Sequence, residues 1–205
     1  MRKARRHQKK FILAVIFAAL APVFFGRRAE TLVTESKGRT EARSTNPTDE
    51  SLTGKVVRVM DGDTVELLVT DAERKQRVRI RLAGIDAPER SQAFGEVCRE
   101  SLAGVVAGKD VQIRVRGKDR YSRTLGVIFV RKDAKGSTED VNLGQISAGC
   151  AWHYKQYLMN QLPREREQYA AAEETARKAR QGLWRDAHPQ PPWEFRLSKK
   201  GRSSR

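Results

Sequence analysis

The chain has 205 residues, of which 39% are apolar and 32% charged, with a formal net charge of +16. That length allows one domain with extensions, and the low apolar fraction excludes a chain that is packed core from end to end. Eight Lys/Arg and no acid fall in residues 1–28, and five Lys/Arg against one acid in residues 193–205, so twelve of the sixteen charges sit at the ends and are no argument for a nucleic-acid surface.

The chain opens with Arg2, Lys3, Arg5, Arg6, Lys9 and Lys10, followed by an unbroken apolar run over residues 11–25. A basic flank and an apolar stretch form an export leader. As a helix the run would rise about 22 Å, short of the ~30 Å hydrocarbon core, which favours a signal peptide over a span. Ala19-Leu20-Ala21 fits a small-x-small cleavage site but would leave Pro22 first, so residues 1–28 are either a signal peptide or an amino-terminal membrane anchor through residues 11–25. Either way the rest of the chain is expected outside the cytoplasm, in the periplasm, secreted or tethered facing outward.

Residues 29–52 are polar and read as a disordered linker. From Lys55 the pattern changes. Val56, Val57 and Val59 lead into Asp61-Gly62, a hairpin signal. A second strand follows over 64–69, and a third over 78–82, where Arg79 and Arg81 alternate with apolar residues. Phe94, Val97, Ser101, Leu102 and Val105 fall at helical spacing, closed by Gly108. Residues 111–115 alternate again, and 124–130 form a mostly apolar strand. A short helix is expected over 142–148. A last helix runs from Pro163 to about Arg180, with Tyr169, Ala172, Ala176 and Ala179 on one face. Three strands, a helix, two strands and two helices give an α+β domain, mainly β, over residues 53–185: a five-stranded barrel of the OB type with about three helices. Residues 186–205 are Pro-containing and then basic, and read as a disordered tail. Cys98 and Cys150 are the only cysteines. Joined, they would close a loop of about 50 residues, worth roughly 4 kcal/mol in the chain-entropy model; unjoined, they would be two small buried hydrophobes.

Three segments carry chemistry. Asp61-Gly62-Asp63-Thr64 is by itself an ordinary turn. Asp86-Ala87-Pro88-Glu89 could be a polar loop, and Arg81 a solvated strand residue. Together with Asp119-Arg120-Tyr121-Ser122-Arg123 they supply carboxylates for a hard cation, guanidinium forks for phosphate, and a spare carboxylate to take a proton from water. That set suits a metal-dependent phosphodiesterase.

These segments resemble the staphylococcal nuclease family. The resemblance rests on Asp61-Gly62-Asp63-Thr64, on Arg81-Leu82-Ala83-Gly84-Ile85-Asp86-Ala87-Pro88-Glu89, on 119–126, on Ala148-Gly149-Cys150-Ala151-Trp152 and on Gly182-Leu183-Trp184. It implies an OB-fold barrel with a calcium-dependent activity on DNA and RNA that leaves 3′-phosphate ends. Position by position, it implies Asp63, Asp86 and the backbone carbonyl of Ala87 as calcium ligands. It implies Glu89 as general base, Arg81 and Arg123 as the grip on the scissile phosphate, and Tyr121 as an aromatic lining the nucleotide site. A monomer is expected. The alternative is a non-catalytic nucleic-acid-binding module of the same family; the presence of all five charged positions argues for the enzyme. Ser122 stands where the family has Gly and would be strained if that position needs positive φ. The segment between Glu89 and Phe94 is also short, so no long loop borders the site.

Overall fold

The computed structural model describes residues 50–70 and 74–203; the leader and nearly all of the linker fall outside the described residues. Strands β1 (Ser51–Asp61), β2 (Thr64–Thr70) and β3 (Lys75–Leu82) form an antiparallel meander. After a two-residue arm, β4 (Ile85–Asp86), comes helix α1 (Gly95–Val106), and then β5 (Asp110–Lys118) and β6 (Thr124–Arg131). The short β7 (Thr138–Asp140) leads into α2 (Val141–Ser147). Next are β8 (Trp152–His153), a 3-10 turn over Lys155–Asn160, α3 (Pro163–Lys178), a second 3-10 turn over Gly182–Arg185 and α4 (Pro192–Ser203).

The main sheet runs β3-β2-β1-β5-β6-β7, and a parallel pairing of β3 with β6 closes five of these strands into the expected barrel. Strand β1 makes this possible. Its first half, Ser51 to Lys55, pairs with β5, and the rest pairs with β2 through two irregular registers, between Val56 and Arg58 and between Val59 and Asp61. Such bulges bend a strand and raise its twist, which lets one strand serve two sides of a small barrel. Period-two alternation then fills the interior with Val56, Val65, Leu67, Ile80, Ile113 and Ile128, and α1 closes one end with Leu102 and Val106. Each such side chain contributes roughly 1.5–3 kcal/mol by leaving water.

Helix faces depart from the sequence expectation. In α1, Val97 is 57% exposed, and the buried line is Cys98, Leu102 and Val106, spaced four apart. In α3 the buried residues are Glu165, Tyr169, Glu173 and Ala176. Two carboxylates lie inside because each has partners: Glu165 meets Arg116 and accepts the Leu162 N–H at 3.0 Å, and Glu173 accepts the His153 N–H at 3.1 Å. Cys98 and Cys150 are free, buried thiols.

The expected disordered tail is also corrected. Pro192 takes the first turn of α4, where its missing N–H costs nothing. Trp193 then packs on Trp152 and Tyr154, with ring centroids 5.5 and 5.6 Å apart. Basic composition suggested a solvated end; Trp193 gives the segment an apolar anchor instead.

Candidate active site

One cleft of about 1220 Å³ is lined by every residue singled out in the sequence: Asp63, Arg81, Asp86, Ala87, Glu89, Tyr121 and Arg123. The hairpin joining β1 to β2 turns at Gly62 and Asp63, with Asp61 paired to Thr64. Gly62 is required by close approach, since a Cβ there would lie 2.7 Å from the Ala87 Cβ. Gln145 of α2 ties the turn down by donating to the Gly62 carbonyl at 2.9 Å and to the Cys98 carbonyl at 3.1 Å. Asp63 is thus fixed. Its Oδ2 accepts the Ala87 N–H at 2.7 Å and its Oδ1 the Thr64 hydroxyl at 3.0 Å.

Arg81 lies opposite Thr64 in the β2–β3 ladder. Its side chain is 12% exposed, with Nη1 in contact with Asp63 Oδ2 and Nη2 donating to Asp86 Oδ1 at 2.6 Å. Asp86 is held from the other side by β4, where it pairs with Trp152 of β8. One guanidinium therefore bridges two buried carboxylates. Burial works against the charge of Arg81, but Asp63 and Asp86 outweigh it and raise its pKa. Burial likewise raises the pKa of Asp86, against Arg81 and Arg196, which favour its charged form. Burial, and then the Asp63 carboxylate, push Asp61 up to about 7.

Glu89 is half-exposed and sits in a tight turn. Its carbonyl accepts the Gln92 N–H at 2.8 Å, and its N–H donates to Gln92 Oε1 at 3.2 Å. Gly95 lets this turn close, because a Cβ there would fall 1.9 Å from the Glu89 carbonyl oxygen. The compact turn is what the short spacing from Glu89 to Phe94 predicts.

Arg123 comes from the β5–β6 connection. Asp119 accepts its Nε at 2.7 Å and its backbone N–H at 2.9 Å, and also the Tyr121 N–H at 2.8 Å. Ser122 has φ 59°, as the departure from Gly suggested. The left-handed conformation costs an L-residue about 1–2 kcal/mol, and the Asp119 carboxylate, bonded on both sides of Ser122, holds it in place. Tyr121 is 63% exposed at the rim, with the Arg123 guanidinium 5.5 Å from its ring centroid.

The cleft is graded in charge. Its floor holds Asp61, Asp63 and Asp86, while exposed Arg79, Lys118, Arg120, Lys155 and Arg177 line its edge. A polyanion is drawn to such a rim and a cation to such a floor. Among the described residues no three His, Cys, Asp or Glu side chains form a metal-binding cluster. The donor set on offer is the pair Asp63 and Asp86. Oxygen donors at the bottom of a cleft, with Asp61 and Glu89 beside them, suit a hard cation completed by backbone carbonyl and water.

The sequence reading missed Arg196 of α4. It donates from Nη2 to Asp86 Oδ2 at 2.8 Å, and from Nη1 to Asp86 Oδ1 at 3.2 Å and to Glu89 Oε1 at 2.8 Å. Pro192 ahead of Trp193 and Phe195 was the available signal, a helix start of the same kind as Pro163.

Residues 79–186 match the family described as Staphylococcal nuclease homologue, a stretch that runs from β3 to the second 3-10 turn and stops before α4. Among relatives, Protein ParB of Escherichia coli is 39% identical over 160 residues, 77% of this chain and 86% of that protein. A micrococcal nuclease of Shigella flexneri is 39% identical over 150 residues, 72% of this chain and 82% of the relative. An uncharacterized endonuclease of Haemophilus influenzae is 38% identical over 151 residues, covering 74% and 76%.

Proposed function

From the premise that the chain belongs to the staphylococcal nuclease family, we propose that it is a calcium-dependent nuclease hydrolysing DNA or RNA, without reading sequence, to 3′-phosphate ends. The observation that carries this reading is the convergence of Asp63, Arg81, Asp86, Glu89 and Arg123 on one cleft. Asp63, Asp86 and the Ala87 carbonyl would hold the cation, and the cation when bound would offset charge on the phosphoryl group. Arg81 and Arg123 bind the phosphate as forks, with Arg81 fixed in advance by two carboxylates and Arg123 by Asp119. Glu89, half-exposed and close to Asp86, accepts the proton of the attacking water. Tyr121 at the rim gives a base a ring to stack on, typically worth about 1–3 kcal/mol and indifferent to sequence.

The test uses the full chain on single- and double-stranded DNA and on RNA. Cleavage is expected with calcium and is expected to disappear on chelation. Magnesium should substitute poorly, since it demands octahedral geometry and keeps its waters. The 3′ ends should resist extension until dephosphorylated. Undiminished cleavage after exhaustive chelation, or free 3′-hydroxyl products, would overturn the mechanism; binding without cleavage would favour the non-catalytic module.

The leader in residues 1–28 supports a further part of this proposal, that the domain acts outside the cytoplasm. Fractionation with mass spectrometry of the mature amino terminus should find it in the periplasm, the medium or a membrane fraction. Activity confined to the cytoplasm with Met1 intact counts against it.

A further inference from the structure

Asp86 has two carboxylate oxygens, and both are engaged by arginine. Oδ1 accepts from Arg81 at 2.6 Å and from Arg196 at 3.2 Å, and Oδ2 accepts from Arg196 at 2.8 Å. The same Arg196 guanidinium holds Glu89 at 2.8 Å. One side chain from the far end of the domain thus occupies a proposed cation ligand and the proposed base together.

The contact is built rather than incidental. Trp193, one turn before Arg196, is packed on Trp152 and Tyr154. Lys199, one turn after it, donates to the Ser91 hydroxyl at 2.6 Å, and Gln92 donates to the Gln190 carbonyl at 2.6 Å just ahead of the helix. These three anchors fix α4 across the cleft, and Arg196 and Leu197 form part of its wall.

A hard cation binds carboxylate oxygens at about 2.3–2.6 Å. Seated on Asp86, it would lie against the Arg196 guanidinium, and two positive charges in contact in a half-buried cleft repel strongly. Arg81 meets the same conflict on Asp63 and Asp86, but it is 12% exposed and fixed in β3, whereas Arg196 is 41% exposed and is the one of the two able to give way.

We propose that Arg196 is an internal counter-cation: α4 docked over the cleft and a divalent cation on Asp86 are mutually exclusive, so the docked helix holds the enzyme idle until the cation displaces it. The inference rests on the calcium reading above. It adds a step to that reading, because Glu89 is released for proton transfer only when Arg196 withdraws. The released helix carries Arg196, Lys199, Lys200 and Arg202 against a single acid, Glu194, so a nucleic-acid backbone favours the undocked position as well.

The experiment measures calcium binding by calorimetry on the full chain, with trypsin digestion reporting the state of α4. Arg196→Gln removes the competing charge, and Trp193→Ala loosens the helix without touching the carboxylates. Both should tighten calcium binding, Arg196→Gln by roughly tenfold, the scale of a charge-assisted hydrogen bond. In the wild type, calcium should speed cleavage at Lys199 and Lys200. Unchanged or weaker affinity in Arg196→Gln, or an α4 equally protected with and without calcium, overturns the proposal. Asp86→Asn separates the two readings. If it lowers calcium affinity while Arg196→Gln changes nothing, only the role of Arg196 fails. If Asp86→Asn binds calcium as the wild type does, the cation site is misassigned and the proposal falls with it.

Discussion

Arg81→Ala is expected to lower kcat by at least ~10²-fold, and Arg81→Lys by nearly as much. Removing one preorganised charged donor typically costs about 2.7–4 kcal/mol of transition-state stabilisation. Arg81 is preorganised to an unusual degree, since its two terminal nitrogens lie on Asp63 and Asp86 and its side chain is 12% exposed. A lysine ammonium keeps the charge but cannot span two carboxylates as a planar fork does. The two substitutions separate catalysis from folding. Arg81→Ala leaves two buried carboxylates without their shared partner, a change that costs as much as ~3–5 kcal/mol when a buried pair is broken, so its urea midpoint should fall. Arg81→Lys should keep most of the stability and still lose turnover. Single-turnover cleavage alongside urea unfolding reads both, and near-normal kcat in Arg81→Lys would remove Arg81 from the chemistry.

Glu89→Gln should lower kcat by about 10²–10⁴-fold, the usual contribution of a positioned general base. Stability should move little, within roughly 0.5 kcal/mol, because the side chain is half-exposed and the turn around it is held by backbone groups and Gln92. Substrate affinity should change little, or rise as a carboxylate near the phosphate is neutralised. Turnover close to wild type would show that the proton goes elsewhere, and Asp61, whose pKa burial raises to about 7, would be the next residue to substitute.

Much of this architecture was legible in the residues. Strands β3 and β5 announce themselves because each has one face in the barrel, which imposes a period of two, and β6 by its apolar run. Arg81, Asp86 and Glu89 stand out because they are packed into one short stretch with a Pro between them. At Ser122 the resemblance marked a position where the family has Gly, and the positive φ that would strain a serine there is what the backbone adopts. What escaped is non-local. Strands β4 and β8 have two residues each and exist only because they pair with one another. The buried face of α3 includes Glu165 and Glu173, which share the face of Tyr169 by spacing but which their charge assigns to solvent; their arginine and backbone partners come from β5 and β8. In α1, Val97 and Cys98 are adjacent apolar candidates, and only the direction of the barrel chooses Cys98. Arg196 meets Asp86 across 110 positions of sequence, a distance over which no pattern of spacing operates.

The parallel pairing of β3 with β6 sets Arg81 opposite Leu125, two residues from Arg123. The arginine from the first half of the domain and the arginine from the second half are therefore brought together by the same ladder that shuts the barrel. Before that ladder forms, the chain has Asp63, Arg81 and Asp86 on one hairpin assembly and Arg123 on another. Non-local pairing of this kind is intrinsically slow to form. Competence to cut thus depends on that closure: a chain that has opened along that seam carries every proposed catalytic side chain and no catalyst.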